Sequence, residues 1–403
     1  MTILYPTQQK VLNEAESSFL YELGTSSGKT LISIYHYLKH SNGEPLLIIM
    51  PPAKLKTGEW IDEIKVVEQA ENITIEFEQL SVGMLAKSWQ DFKGYFVIID
   101  EAHLVKNPTS KRGKAAMHLT RHATDFVLLT ATSSASWEDT INYFIMWDFY
   151  KNKTQFLKQH AIYGDLYLGD RVIKKPVDWT NKEDLKEKFN SFSVKKPTTY
   201  FVDLPDTQTK LINFKKSSDY NKLEKDRVLE IDGELVLFDT HPKLQAGLRF
   251  HANQQDKLKY TEMLAEGTNE NILIFYNFKK ERDSLVKLAK KLKKKLYEVS
   301  GQDFNLPSKN EREELNNSIT IAQYQSGSAA IELQYCSQVI IYTPSYSYID
   351  HTQALGRAVR HGNKNKVTIY HYNTEDSIEE AVYAALDRKE DFTEELFKKV
   401  VRT

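Results

Sequence analysis

The sequence predicts an α/β protein built of two tandem lobes, and three observations predict it. Short apolar runs alternate with longer amphipathic stretches, the mark of mainly parallel sheets flanked by helices. The apolar runs end in small or polar residues, at the strand ends where open α/β sheets bind ligands. The alternation lapses between about 150 and 200 and then resumes. At 403 residues the chain is long enough for two such cores.

In the first lobe, "SFLYELG" (18–24) reads as a short strand and "KTLISIYHYLKH" (29–40) as the helix after it. "PLLIIMPP" (45–52), "YFVIIDEAH" (95–103) and "DFVLLTATS" (125–133) read as buried strands. The charged and aromatic stretch 150–198 reads as a helical or irregular extension, closing a lobe of residues 1–198. The second lobe, 199–403, has strands at "NILIFYNF" (271–278), "SITIAQY" (318–324), "SQVIIYT" (337–343) and "KVTIYHY" (366–372). An amphipathic helix is expected over 279–296, with Leu285, Leu288, Leu292 and Leu296 as its apolar stripe and a solvated lysine face. A closing helix over 376–392 has Asp376 and Ser377 placed to cap it. "VLEIDGELVLF" (228–238) sets Asp232-Gly233 between alternating apolar runs, a hairpin signal. It predicts a ribbon inside an insertion at about 215–255.

Composition narrows the class. An apolar content of 41% and a charged content of 27% are those of a soluble globular protein. The formal net charge of -1 gives no global basic field, so any nucleic-acid contact must use local patches. With Cys336 as the single cysteine, an intramolecular disulfide and a cysteine-based zinc cluster are excluded. That suits a reducing cytoplasm: bacterial, or the host's if the chain is phage-encoded. "MTILYPTQQK" lacks the features of a signal peptide, and the apolar runs are too short to span a bilayer. No membrane partner is expected.

Three stretches carry chemistry. In "GTSSGKT", residues Gly24, Thr25, Ser26, Ser27, Gly28, Lys29 and Thr30 form a loop that opens a helix. Such a loop offers backbone N–H groups and the positive end of a helix to phosphate. Lys29 would reach the β- and γ-phosphates, and the Thr30 hydroxyl would bind Mg²⁺. The full pattern asks for glycine where Leu23 stands, so the tripeptide alone decides nothing. In "VIIDEAH", two acids end an apolar strand, and such acids are costly to bury unpaired. If that strand neighbours the loop strand, Asp100 can hold Mg²⁺ and Glu101 can deprotonate the attacking water. In "QALGRAVRHG", Arg357 and Arg360 stand three apart and on a helix would share a face. Two arginines suit the charge that develops on a transferred γ-phosphate.

Together these residues resemble a superfamily 2 helicase of the DEAH type, most closely the Swi/Snf branch of double-stranded DNA translocases. Motif order is similar over nearly the whole chain. "YPTQ" (5–8) resembles the adenine-reading segment, with Gln8 as reader. "MPPAKLKTGEWIDEI" (50–64) and "LLTATS" (128–133) resemble two further motifs. "DEAHLVKNPTSKRGKAA" (100–116) is the most branch-specific match, through its Lys-Asn-x-x-Ser tail. "YQSGSAAIELQYCSQVIIY" (324–342) and "QALGRAVRHGN", with Gln353 toward the nucleotide, close the set. The chain looks like a compact, phage-like minimal form. The resemblance implies two RecA-like lobes with ATP and Mg²⁺ between them, and a nucleic-acid backbone along their top. Its implied contacts are Lys54, Lys106, Asn107, Thr132, Gly327 and Ser328, mostly to phosphate and so independent of sequence. Trp60 reads as core rather than a base-stacking residue. His103 lacks partners at metal-ligand spacing.

The resemblance implies an ATP hydrolase that translocates on DNA, with duplex favoured over single strands and RNA less favoured. A strand-separating helicase beside replication or recombination proteins is the alternative. A non-hydrolysing adaptor is the third reading, motivated by Leu23, Ser26, Ala330 and Glu332, which depart from the family pattern. Lys29, Thr30, Asp100, Glu101, Arg357 and Arg360 are all present and count against it. Glu101→Gln is expected to bind ATP and stall, as nucleotide-binding and single-turnover assays would show; turnover near the parent rate refutes the role of Glu101 as base.

Overall fold

Strands that are apolar on both sides must be covered on both faces. In the computed structural model, which describes residues 3–131, 136–168, 171–231, 233–301, 303–324, 333–360, 363, 366–393 and 396–397, that rule shapes both halves of the chain. The chain divides into two units, Met1–Val202 and Asp203–Thr403.

The first unit carries β1 (Phe19–Leu23), β2 (Leu46–Met50), β3 (Phe77–Ser81), β4 (Phe96–Asp100), β5 (Asp125–Thr130), β6 (Ala161–Leu168), β7 (Arg171–Trp179) and β8 (Ser193–Lys196). Six of them form one parallel sheet in the order β3-β2-β4-β5-β1-β8. Alternate residues feed two cores, as the two-residue period of a strand requires. Leu20, Leu47, Ile49, Val97 and Leu128 face one. Tyr21, Ile48, Ile98, Val127 and Leu129 face the other.

Two features of 150–198 differ from the expected irregular extension. β6 and β7 pair as an antiparallel hairpin. β8 then completes the sheet beside β1. The hairpin exposes Tyr163, Val172 and Val177, so no buried run announces it. β8 is four residues long and two of them are lysines.

The second unit carries β9 (Thr207–Phe214), β10 (Val228–Ile231), β11 (Glu234–Leu237), β12 (Ile272–Tyr276), β13 (Lys295–Val299), β14 (Phe304–Asn305), β15 (Ser318–Gln323), β16 (Gln338–Ile341) and β17 (Val367–Thr374). Seven form a sheet in the order β14-β13-β15-β12-β16-β17-β9, parallel except at β14. Both units are therefore α/β lobes of the RecA-like type, and the ribbon at β10–β11 is present. The ribbon's base packs with Tyr220, Leu244, Leu248 and Val382, from the helices Ser218–Asp226, His241–Phe250 and Ile378–Asp387.

The helix expected over 279–296 stops at Lys291. Lys293 turns left-handed, with φ 53°, and 295–299 becomes β13 beside β15. Lysine's high helix propensity disguised the break. Leu285 and Leu288 remain on the helix's buried side, whereas Leu296 belongs to the strand. Ser377 caps the closing helix, accepting from Glu379 N. Among the described residues, no helix is long and apolar enough to cross a membrane.

Inside the second unit, Lys257 Nζ bonds Glu379, both without solvent exposure, and Glu379 also accepts from Thr374 N at 3.0 Å. The pair ties the helices Gln254–Glu266 and Ile378–Asp387. Lys257→Met should cost about 3–5 kcal/mol, because it strands a buried carboxylate. Adding Glu379→Gln should recover much of the loss, and thermal melting of both variants checks it.

Candidate active site

The phosphate-type loop joins β1 to the helix Lys29–His40, and its two glycines are there for space and conformation. A side chain on Gly24 would collide with Thr198, just beyond β8. Gly28 caps the helix with φ 74°, and a side chain there would meet Gln8. Ser26, which is not glycine, also adopts a left-handed φ of 59°. Ser27 is buried. Gln8 stands on the helix Pro6–Glu14, accepts from Tyr5 N at 2.9 Å and donates to Ser27 O at 3.0 Å. It thus tethers the first helix to the loop. Lys29 Nζ curls back to Leu23 O at 3.0 Å, and Thr25, Ser26 and Thr30 are half-buried.

The acidic pair ends β4. β4 is not the neighbour of β1, because β5 lies between them. All three strands are parallel, however, so their carboxyl ends share one edge. Asp100 is 1% exposed. Its Oδ1 accepts from Glu101 N at 2.9 Å. Its Oδ2 accepts from Lys54 Nζ at 2.6 Å and from Trp60 Nε1 at 3.2 Å. Burial works against the charge on Lys54, but Asp100 and Glu101 beside it win and push the ammonium above its ordinary range.

Glu101 adopts a left-handed backbone, φ 54° and ψ 53°. That conformation costs a β-carbon-bearing residue ~1 kcal/mol or more and clusters at functional sites. Oε2 of its carboxylate lies 3.3 Å from His103 Nδ1. Burial pushes the carboxyl up, but His103, Lys54 and Lys29 outweigh it and hold it at about 2. Lys29 therefore acts on Glu101, and Lys54 stands beside both acids.

Asp100 and the Thr30 hydroxyl are hard oxygen donors of the kind Mg²⁺ takes, and Mg²⁺ needs only one or two carboxylates beside phosphate oxygens. Asp100 already draws a cation to itself in Lys54. Among the described residues no cluster of three His, Cys, Asp or Glu side chains could hold a metal.

Other expected site residues lie elsewhere. Lys54, expected on a nucleic-acid path, instead pairs with Asp100, because a buried carboxylate demands a partner. Lys106 pairs with Asp139 at 2.9 Å. Asn107 is exposed and organises its own turn, accepting from Thr109 N and Ser110 Oγ at 2.9 Å. Gly113 packs so closely on Asn107 O that a side chain there would collide. Thr132, Gly327 and Ser328 lie outside the described residues. Trp60 is core, as expected, and its indole additionally holds Asp100. That role and the fit of Thr198 against Gly24 were missed. The signal for Trp60 was the unpaired strand-end acid itself.

In the second unit, Gln353 is buried on the helix Tyr348–Ala358, and Arg357 lies in its last turn. Arg360 lies beyond the helix, so the two arginines do not share a helical face as expected. The chain leaves the helix at Val359 (φ -87°, ψ 82°), Arg360 N donates to Ala358 O at 3.2 Å, and Asn363 Nδ2 donates to the same oxygen at 3.4 Å.

The RecA-like α/β lobe of the first unit thus brings a phosphate-type loop, a buried strand-end acid and a left-handed Glu to one sheet edge. Residues 255–362 match the helicase conserved C-terminal domain family. That match supports a member of helicase superfamilies 1 and 2, and with it an ATP-dependent helicase-type enzyme that acts on nucleic acid. No curated protein matches the chain.

The charge arrangement predicts a pH signature. Glu101 is held below its ordinary 4.5 at about 2, so its contribution to stability is complete above pH 4.5 and lost as pH falls through 2. Lys54→Met removes one of the charges that hold it down. The variant should lose ~2–4 kcal/mol at about pH 6, and the deficit should shrink at about pH 3. Urea unfolding at both values tests this; a deficit independent of pH would refute the assignment.

Proposed function

We propose that the protein hydrolyses ATP, with Mg²⁺, to translocate on DNA, and that its track is duplex DNA. The observation that carries the reading is the phosphate-type loop and the acids Asp100 and Glu101 at one edge of a parallel sheet, in a chain whose second unit matches a helicase C-terminal domain.

Gly24 to Gly28 wrap the phosphates with backbone N–H groups, and Lys29 leaves Leu23 O to neutralise the β- and γ-phosphates. Thr30 and Asp100 would hold Mg²⁺, which when bound would supply charge neutralisation on the phosphate oxygens. Glu101, kept anionic by His103, Lys54 and Lys29, orients a water and takes its proton as the oxygen attacks the γ-phosphorus. The bond to the ADP oxygen breaks, and ADP and phosphate leave. Arg357 and Arg360 counter the charge that develops on the transferred group. Gln8 and Gln353 contribute to nucleotide recognition.

Support for a nucleic-acid track comes from the turn after the acidic motif. Lys111, Arg112 and Lys114 are exposed in the first turn of the helix Lys111–Thr120, next to the exposed Asn107. Cations are disfavoured at a helix N-terminus. Their presence is accounted for by phosphates on the far side, and contacts of this kind read no sequence. The Lys-Asn-x-x-Ser tail supports duplex DNA.

Steady-state ATPase at low salt, without nucleic acid and with duplex DNA, single-stranded DNA or RNA, tests the proposal beside Lys29→Ala. Duplex DNA should stimulate turnover strongly, the Lys29→Ala variant should be inactive, and stimulation should fall steeply with salt. Stimulation by RNA but not by duplex DNA overturns the reading; stimulation by single strands alone favours strand separation.

A further inference from the structure

The ribbon β10–β11 and the helices at its base line an open cavity of about 460 Å³ that the nucleotide chemistry does not use. Its walls include Val236, Leu237, Ala246, Phe250 and Phe278, and its rim carries Lys279 and Lys280. The volume falls within the roughly 300–1,000 Å³ range of ligand pockets. Much of the lining comes from residues 231–251, ahead of the matched segment 255–362.

Three observations point to one kind of occupant. First, the ribbon is a two-stranded sheet with no third strand among the described residues. It exposes Leu235 at 75% and Leu237 at 56%. An open apolar edge invites strand addition, and soluble proteins normally blunt such edges. Second, the aromatic rings in the cavity are already engaged. Phe278 lies under the Arg249 guanidinium and edge-on to Phe250. That leaves an apolar socket rather than a stacking platform for bases. Third, Lys279 and Lys280 are exposed at the start of the helix Lys279–Lys291, where the helix dipole adds to their charge. The ribbon's exposed Glu230 and Glu234 do not line the cavity, so at its mouth Lys279 and Lys280 favour carboxylates beside whatever fills the socket.

We propose that this face docks an extended segment of a partner protein. The segment pairs with the β10–β11 ribbon as an added strand, seats one large apolar side chain in the cavity, and presents flanking acidic residues to Lys279 and Lys280. The site is independent of ATP hydrolysis and gives the protein a means of attachment to another protein.

The test uses the full chain and an array of synthetic peptides with Leu, Phe or Trp at the centre and acidic, basic or serine flanks. Acid-flanked peptides should bind best, and the preference should weaken with salt. Ala246→Trp fills the socket from its exposed side and should reduce binding at least about tenfold. Lys279→Glu with Lys280→Glu should reverse the flank preference without loss of melting temperature, so the proposal remains testable if the tryptophan variant folds poorly. Absence of acid-flanked binding, or binding indifferent to both changes, overturns the proposal. Oligothymidylate binding with the same sensitivity to both changes also overturns it and assigns the face to nucleic acid.

Discussion

A carboxylate with almost no access to water, at the end of a buried strand, is the constraint around which the first unit is arranged. An ionised group in that position is tolerated only with a cation and hydrogen bonds. Asp100 receives both from one short stretch of chain. Lys54 and Trp60 stand on successive helices, Pro52–Thr57 and Glu59–Glu71, separated by the left-handed Gly58. That stretch leaves β2, which lies directly beside β4 in the sheet. The sheet order therefore carries the cation to the acid. The same cation acts on Glu101, so pairing one acid also sets the charge state of the next.

Much of this was legible beforehand, and for a physical reason. Strands buried on both faces print continuous apolar runs, so β1, β2, β4, β5, β12, β15, β16 and β17 were all read near their places. What escaped were elements without such a run. β8 and β13 carry lysines, β3 and β9 are mostly half-buried or exposed, and β6–β7 leaves much of its apolar surface in water. The loop, the acids and the arginines announced themselves by residue type. Their partners did not. Lys54 was assigned to a nucleic-acid path because one sequence does not say which lysine faces a carboxylate 46 residues away. The expected helical face shared by Arg357 and Arg360 failed at the cap, where local turn geometry rather than periodicity decides.

The second unit applies the same physics with different residues. Glu281 is 1% exposed and accepts four hydrogen bonds: from Gln254 Nε2 at 2.9 Å, Thr343 Oγ1 at 2.5 Å, Asn277 N at 2.9 Å and Phe278 N at 3.0 Å. Asn277 in turn donates to Thr343 O at 2.7 Å, and Arg249 donates to Pro344 O. These bonds lock the ends of β12 and β16 in one register. The chain then turns directly into the helix that carries Gln353 and Arg357. A half-satisfied network would cost more than an apolar core. The four bonds to Glu281 fix the turns from which that helix begins, and so where its arginine is delivered.

Phe278 links that network to the ribbon. Its backbone N–H is held by Glu281, while its ring lies under Arg249 and lines the apolar cavity. The residue that closes β12 on one side thus forms the wall of the docking face on the other. On its other side the same short turn holds Thr343, whose carbonyl accepts from Asn277 Nδ2 at 2.7 Å. Burial of polar groups leaves that turn little slack, because interiors packed to crystal density transmit displacement rather than absorb it. One short turn thus serves both the wall of the cavity and the polar network ahead of the arginine helix.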